Sequence, residues 1–285
     1  MKDKSFDTLI VDECSQSVDP EVIIPLLKTK TRLILVGDQK QLPPLLFAKE
    51  SKIAKYDNTI IDRLEKLNIA PQFRMHPSIS QFPSAEFYDS KVADGISQEY
   101  RTKCLKWIQW PNNGLPILFW EFKGKPEEKS SDGKSNINRD QVQCVANLID
   151  ILVNKANPSD IGVISPYSGQ NFYLRDNLHR YTKIAGEDYI KRIEISSIDS
   201  FQGREKELII FSTVKSNNTY DIGFLNDERS LNVALTRARC GLIIIGDSNT
   251  FIKSKNWLSL LRYYSSHRCL CSGTVNNWIP KSFSY

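Results

Sequence analysis

Short apolar blocks alternate with longer amphipathic stretches along this chain. Phe6–Val11 and Arg32–Val36 are runs of apolar and β-branched residues that stop abruptly at polar loops, the pattern of strands buried in a parallel sheet. Ile117–Phe122, Ile161–Ile164, Ile193–Ser197, Glu207–Val214 and Gly241–Gly246 repeat that pattern. Between the blocks the apolar period lengthens to that of a helix. Val142, Val145, Leu148, Ile149 and Leu152 predict an amphipathic helix over Arg139–Val153, with Asn138 as its N-cap. Asp19-Pro20 predicts a helix start that runs through Leu27, and Ser78–Phe87 and Asn171–Tyr181 read as helices too. Ala48–Leu67 also carries helical patterning. Ser230–Arg239 predicts a helix that buries Leu231, Leu235 and Ala238, and sends Arg237 and Arg239 in different directions, at most one of them into a given cleft.

The alternation predicts an α/β fold, an open parallel sheet with its chemistry in the loops after the strands. The two halves divide near Pro71. Gly124–Asn136 is dominated by Lys, Glu, Ser, Asp and Gly, and is expected as a mobile surface loop within a domain. Inside it, Gly133-Lys134-Ser135 imitates the end of a phosphate-binding G-x-x-x-x-G-K-S/T loop. Glu128 stands where the first glycine belongs and no strand precedes it, so that reading is rejected.

The strand ends carry residues suited to nucleotide chemistry. Asp12-Glu13 closes the first block, where one carboxylate can fix Mg²⁺ through its waters while the other orients an attacking water; a solvated strand end is the plainer alternative. In Gln72-Phe73-Arg74-Met75-His76-Pro77 a ring, a cation and an amide lie together, as a base-stacking and phosphate-binding group or as a linking turn with a surface arginine. His76 reads as a structural hydrogen-bonding residue. Trp107 and Trp110 suit base stacking or the core.

Composition narrows the class. The formal charge of +5 is a mild bias toward polyanions. Six scattered cysteines and three isolated histidines give neither a disulfide framework nor zinc spacing, which fits reduced thiols inside the cell. No apolar run approaches membrane-spanning length, and Met1-Lys-Asp-Lys-Ser is no signal peptide, so no membrane partner is expected and the cytoplasm, or the nucleus, is the expected location.

Taken in order, Asp12-Glu13-x-x-Gln16, Gly37-Asp38-x-x-Gln41-Leu42, Gln72–Pro77, Pro166-Tyr167-x-x-Gln170, Phe201-Gln202-Gly203-Arg204-Glu205 and Leu231–Arg239 resemble motifs II to VI of the superfamily 1 helicases. Gly223-Phe-Leu-Asn-Asp, Leu231–Gly241 and the tail from Trp257 to Tyr264 extend the resemblance to the up-frameshift type, which acts in nonsense-mediated mRNA decay. The resemblance implies RecA-like domains: 1–70 as the carboxyl-terminal part of the first, 71–270 as the second, and 271–285 as a tail. It implies ATP and Mg²⁺ as cofactors, with Asp12 as the Mg²⁺ carboxylate acting through water and Glu13 as the base for the hydrolytic water. Gln41 senses the γ-phosphate, and Arg74 and Arg237 are arginine fingers, leaving Arg239 as a structural partner on the far side of the helix. Phe73 stacks on adenine in place of the more usual tyrosine, Glu205 accepts from the ribose, and Gly203 allows close backbone approach. Pro43, Pro44, Ser165 and Pro166 line a groove for single-stranded RNA, or DNA. Partners from mRNA surveillance are implied in the same way.

Only eleven residues precede Asp12, and no glycine loop with its lysine stands there to cradle the β- and γ-phosphates. The expectation is a carboxyl-terminal portion of a 5′-to-3′ RNA helicase lacking its phosphate loop. Two alternatives stand beside it: a senataxin-like or DNA-directed helicase, and a non-catalytic nucleic-acid-binding remnant.

Overall fold

Strand β1 (Phe6–Val11) pairs in parallel with β2 (Thr29–Leu35), Leu9 beside Leu33 and Val11 beside Leu35, and helix α1 (Asp19–Leu26) makes the crossover. In the computed structural model, which describes residues 5–64 and 71–283, these elements and α2 (Lys49–Ile53) form one unit, Met1–Ile69. The remainder, Ala70–Tyr285, is a second. Parallel pairing agrees with the sequence pattern, whereas burial of the first strands does not: Phe6 is 52% and Ile10 64% exposed, because this sheet has two strands and one short crossover helix. The long helix suggested by Ala48–Leu67 shrinks to α2. Lys55 takes a left-handed φ of 58°, and Asp62 Oδ2 accepts from the amide and hydroxyl of Thr59 at 2.8 and 2.7 Å, which turns the chain instead. The end of that stretch and the link before Pro71 lie outside the described residues.

The second unit runs α3 (Pro77–Phe87), β3 (Ile117–Glu121), β4 (Glu128–Lys129), β5 (Asn136–Ile137), α4 (Arg139–Leu152), β6 (Ile161–Ile164), α5 (Ser168–Tyr181), α6 (Glu187–Lys191) and β7 (Glu194–Ser196). It continues with β8 (Lys206–Ser212), α7 (Glu228–Leu235), β9 (Ala238–Gly246), α8 (Ser248–Phe251), α9 (Lys255–Ser266), β10 (Leu270–Thr274) and β11 (Asn277–Pro280). Seven of its strands make one sheet in the order β11-β10-β3-β9-β8-β6-β7. Every neighbouring pair is parallel except β10 with β11.

Both faces of the sheet are covered, which is why its strands are apolar at successive positions and not at alternate ones. On one face Val142, Val145 and Ile149 of α4 and Leu174 and Leu178 of α5 pack with Leu208, Ile210, Ile243 and Ile245, and Trp107 and Trp110 join this core. On the other, Trp257 of α9 is fully buried, stacks on Phe251 at 4.3 Å and lies 6.2 Å from Phe211.

Three sequence expectations change here. The helix ending at Arg239 stops at Leu235, where the Thr236 hydroxyl donates to the Asn232 carbonyl at 2.8 Å. From Ala238 the chain is strand, because Ala238–Gly246 fills the slot between β3 and β8 and both neighbours take its backbone hydrogen bonds. Gly124–Asn136, expected as a mobile loop, contains the hairpin β4-β5. Asp132 Oδ1 accepts from the Ser130 hydroxyl and the Lys134 amide, Gly133 supplies a φ of +70°, and Arg139 pairs with Glu128. The tail from 271 onward is no appendage: β10 and β11 complete the sheet beyond β3.

Candidate nucleotide and nucleic-acid site

In the first unit, Asp12 and Glu13 stand where β1 ends. Asp12 is exposed and its Oδ1 accepts from the Glu13 amide at 3.0 Å. Glu13 has a left-handed backbone, φ 50° and ψ 39°, uncommon for a residue with a side chain and characteristic of functional turns. Its Oε2 accepts from Gln16 Nε2 at 3.1 Å. The loop after β2 lies directly against this turn: Cys14 N donates to the Val36 carbonyl at 2.9 Å, and a Cβ on Gly37 would stand 2.9 Å from Cys14 Sγ and 3.0 Å from Ser15 N. Only glycine fits that approach. Asp38 then holds Gln41, Oδ2 accepting from Gln41 Nε2 at 3.0 Å. One exposed carboxylate at a strand end is a donor set that suits Mg²⁺, which takes one or two carboxylates and fills its octahedron with water and phosphate. Of the two prolines beyond, Pro43 is half-buried and Pro44 buried.

In the second unit the arrangement departs from expectation. Gly203, Glu205 and Arg237 sit where β8 and β9 begin, not where strands end. Lys206 and Ala238 are register partners, and Lys206 N donates to the Arg237 carbonyl at 3.1 Å, which brings the two strand starts together. Arg74 reaches this edge from the Gln72–Pro77 segment. Its Nε donates to Glu205 Oε2 at 2.6 Å and its Nη1 to the Thr236 carbonyl at 3.2 Å. Arg239 approaches the other carboxylate oxygen, Nη1 to Oε1 at 3.2 Å, and lies 3.7 Å from Glu207. Partial burial pushes the Glu205 carboxyl up, but the Arg74 hydrogen bond and the charges of Arg74, Arg239 and Arg101 outweigh it and hold the group below the usual carboxylate range.

Arg239, expected to face away from the cleft, therefore belongs to the cluster, because on a strand its side chain takes a direction that a helix would not give it. Arg237 is the arginine turned inward. It is 1% exposed, and its guanidinium donates to the Val233 carbonyl at 3.0 Å and the Thr236 hydroxyl at 2.9 Å, across the end of α7. Phe73 is 63% exposed, a ring standing free of the core. Gly203 has a φ of +75° and open space where a Cβ would point. His76 is structural as expected: it is buried, its Nδ1 accepts from Ser78 N at 3.1 Å at the start of α3, and burial pulls its pKa down to about 4.

The opposite edge, where β6 and β8 end, holds the residues expected to line a nucleic-acid groove. Ser165 is fully buried and its hydroxyl accepts from Tyr167 N at 3.3 Å, while Pro166 is half-buried. Gln170 is also internal: Oε1 accepts from Asn138 N at 2.9 Å and Nε2 donates to Ser212 Oγ at 3.1 Å, tying α5 to α4 and β8. Beneath it Val214 has a φ of +67°, a rare conformation for a β-branched residue, fixed by Gln141 Oε1 on its amide and Asn138 Nδ2 on its carbonyl.

Sequence reading missed Arg101, Gly95 and Asp94. Arg101 donates to the carbonyls of Phe73 and Arg74 at 2.8 and 2.7 Å. Asp94 accepts from Ser80 Oγ at 2.6 Å and from Gln72 Nε2 at 2.5 Å. They lie in an irregular stretch whose periodicity carries no signal.

Among known proteins, the AAA domain family matches residues 54–249, and a second AAA domain description matches residues 1–49. A regulator of nonsense transcripts 1 homolog of Arabidopsis thaliana is 40% identical over 278 residues, 95% of this chain and 22% of that protein. The ATP-dependent helicase NAM7 of Saccharomyces cerevisiae is 37% identical over 281 residues, 96% of this chain and 29% of that one. Helicase sen1 of Schizosaccharomyces pombe is 38% identical over 268 residues, 90% of this chain and 15% of that one. The chain thus spans less than a third of the length of these curated relatives. With an open parallel α/β sheet and the AAA domain match over most of its length, the chain belongs to the AAA-domain family.

Proposed function

We propose that this chain supplies part of the ATP-hydrolysing machinery of an RNA helicase that acts in nonsense-mediated mRNA decay, moving 5′ to 3′ on single-stranded RNA in the cytoplasm. The observation that carries the reading is the meeting of Arg74, Glu205 and the Thr236-Arg237 turn at one sheet edge, from three distant parts of the sequence. Planar, permanently charged donors suit the charge that spreads over phosphoryl oxygens in transfer, and a carboxylate beside them suits a ribose hydroxyl. In this reading Phe73 stacks on adenine, Glu205 accepts from the ribose, Gly203 gives the nucleotide room, and Arg74 and, once its guanidinium leaves the buried end of α7, Arg237 serve the γ-phosphoryl group. Glu13 orients the water, Gln41 senses the γ-phosphate, and Asp12 would hold Mg²⁺ through water. Pro43, Pro44, Ser165 and Pro166 shape the path of single-stranded RNA, and mRNA-surveillance proteins are the partners.

The experiment is ATP hydrolysis by the full-length protein with single-stranded RNA or DNA, beside its Glu13→Gln variant. RNA-stimulated turnover that disappears in Glu13→Gln is the expected result; equal absence of turnover in both proteins would overturn it. The 38% identity to Helicase sen1 favours a second reading, a senataxin-like or DNA-directed helicase of the same superfamily, which stronger stimulation by DNA would support.

A further inference from the structure

We infer that Arg101 and Gly95 are positioning residues for the ring and the cation of the nucleotide site, an inference that rests on the reading of Phe73 and Arg74 as nucleotide-binding groups. Phe73 and Arg74 belong to no helix or strand, apart from a single bridge between Gln72 and Asp94. What holds them lies behind. The Arg101 fork spans their backbone, Nη2 donating to the Phe73 carbonyl at 2.8 Å and Nε to the Arg74 carbonyl at 2.7 Å. A guanidinium meets two adjacent carbonyls with a rigid, planar set of donors, whereas an ammonium on a flexible stem cannot hold both in one geometry. Its charge also acts on Glu205, the carboxylate that Arg74 engages.

Gly95 fixes the ring. A Cβ at this position would stand 2.4 Å from Cε1 and 2.5 Å from Cζ of Phe73, so the space left by the missing side chain is where the edge of the ring lies. Glycine is not required there by backbone angle, since Gly95 is not among the left-handed glycines. The backbone behind is pinned in turn: Gln72 N donates to the Ala93 carbonyl at 2.9 Å and Gly95 N to the Gln72 carbonyl at 2.8 Å. Gln72 Oε1 then accepts from the amides of Arg74 and Met75 at 3.0 and 2.7 Å. Because the Phe73 ring is mostly exposed, its direction depends on this backing, and a displacement of about 1 Å at a site of this kind is enough to lower its efficiency strongly.

The test uses the 285-residue chain and two readouts. In hydrogen exchange, Arg101→Ala is expected to speed the amides of Arg74 and Met75 by roughly tenfold, the scale of one lost charge-assisted hydrogen bond, while amides of Leu208–Phe211 keep their rates. In titration with trinitrophenyl-ATP, Arg101→Ala and Gly95→Ala are each expected to weaken binding by roughly tenfold. Guanidinium chloride restores Arg101→Ala and not Gly95→Ala, and Arg101→Lys stays weak. Unchanged exchange in Arg101→Ala, or faster exchange that extends to Leu208–Phe211, overturns the inference, the second result marking a general structural role. Unchanged affinity in Gly95→Ala overturns its part for that residue. If the unsubstituted chain binds no trinitrophenyl-ATP, the nucleotide reading itself fails, and the exchange measurement alone decides whether Arg101 positions the segment.

Discussion

Arg74 and Glu205, 131 residues apart in sequence, share a hydrogen bond of 2.6 Å at the edge where β8 begins. Both side chains remain partly exposed, 29% and 38%, so the pair is worth at most about 1 kcal/mol of stability. Its importance is placement: with the Thr236 carbonyl, the carboxylate sets the direction of the Arg74 guanidinium.

Glu205→Gln keeps the shape of that residue and removes its charge. Urea unfolding of the variant is expected to differ by less than about 1 kcal/mol from the unsubstituted chain, while nucleotide affinity falls. A loss of several kcal/mol would make the pair a folding element instead.

Arg237 and Arg239 are expected to separate cleanly on substitution. Arg237→Ala leaves the Val233 carbonyl and Thr236 hydroxyl without a buried charged donor, a loss of about 1.5–3 kcal/mol in urea unfolding. In the reading proposed above, Arg237→Lys in the full-length protein is expected to depress turnover by about 10³ or more. Arg239→Ala, at a half-exposed position, is expected to cost under about 1 kcal/mol but to raise the Glu205 pKa toward its ordinary value, moving the acid limb of the pH–rate profile upward. Equal stability losses in the two alanine variants would contradict this assignment.

His76 makes stability depend on pH. Its folded pKa is depressed to about 4 from an ordinary 6.5, so the unfolded chain takes up a proton first as pH falls. The contribution is fully present above about pH 6.5 and drains away between there and pH 4, to a total near 3 kcal/mol. His76→Asn retains an N-cap acceptor for α3 and is expected to flatten that part of the stability profile measured by urea titration. An unchanged slope would place the acid sensitivity elsewhere.

Gly37→Ala tests the turn that carries Glu13. The added Cβ meets Cys14 Sγ at 2.9 Å and the Ser15 amide at 3.0 Å, so the two loops must part by a few tenths of an ångström. In the proposed reading Glu13 orients the hydrolytic water, so turnover of the full-length protein is expected to fall more than its nucleotide affinity. A fall in affinity alone would detach this loop from the hydrolytic step.

The strands of the second unit were legible because burial on both faces of a parallel sheet demands continuous apolar runs, and Ile161–Ile164, buried throughout, has the same bounds in sequence and structure. The helix over Arg139–Leu152 was legible from its period and from Asn138, whose side chain accepts from Gln141 N at 3.1 Å. The boundary at Thr236 was not, because Leu231, Leu235 and Ala238 fit a helix face whether or not Ala238 starts a strand. That one boundary decided the direction of Arg239. The backing of Phe73 was illegible for another reason: Gly95 and Arg101 act through backbone carbonyls and empty space, which leave no pattern in residue type.

The hairpin β10-β11 has a consequence for how this chain behaves in solution. By adding beyond β3, it converts the hydrogen-bonding flank of an apolar strand into a short antiparallel edge that ends at Pro280. A chain stopped near residue 270 would present the bare flank of β3 as a template for strand addition by another molecule, and its failure would show as self-association before any loss of chemistry.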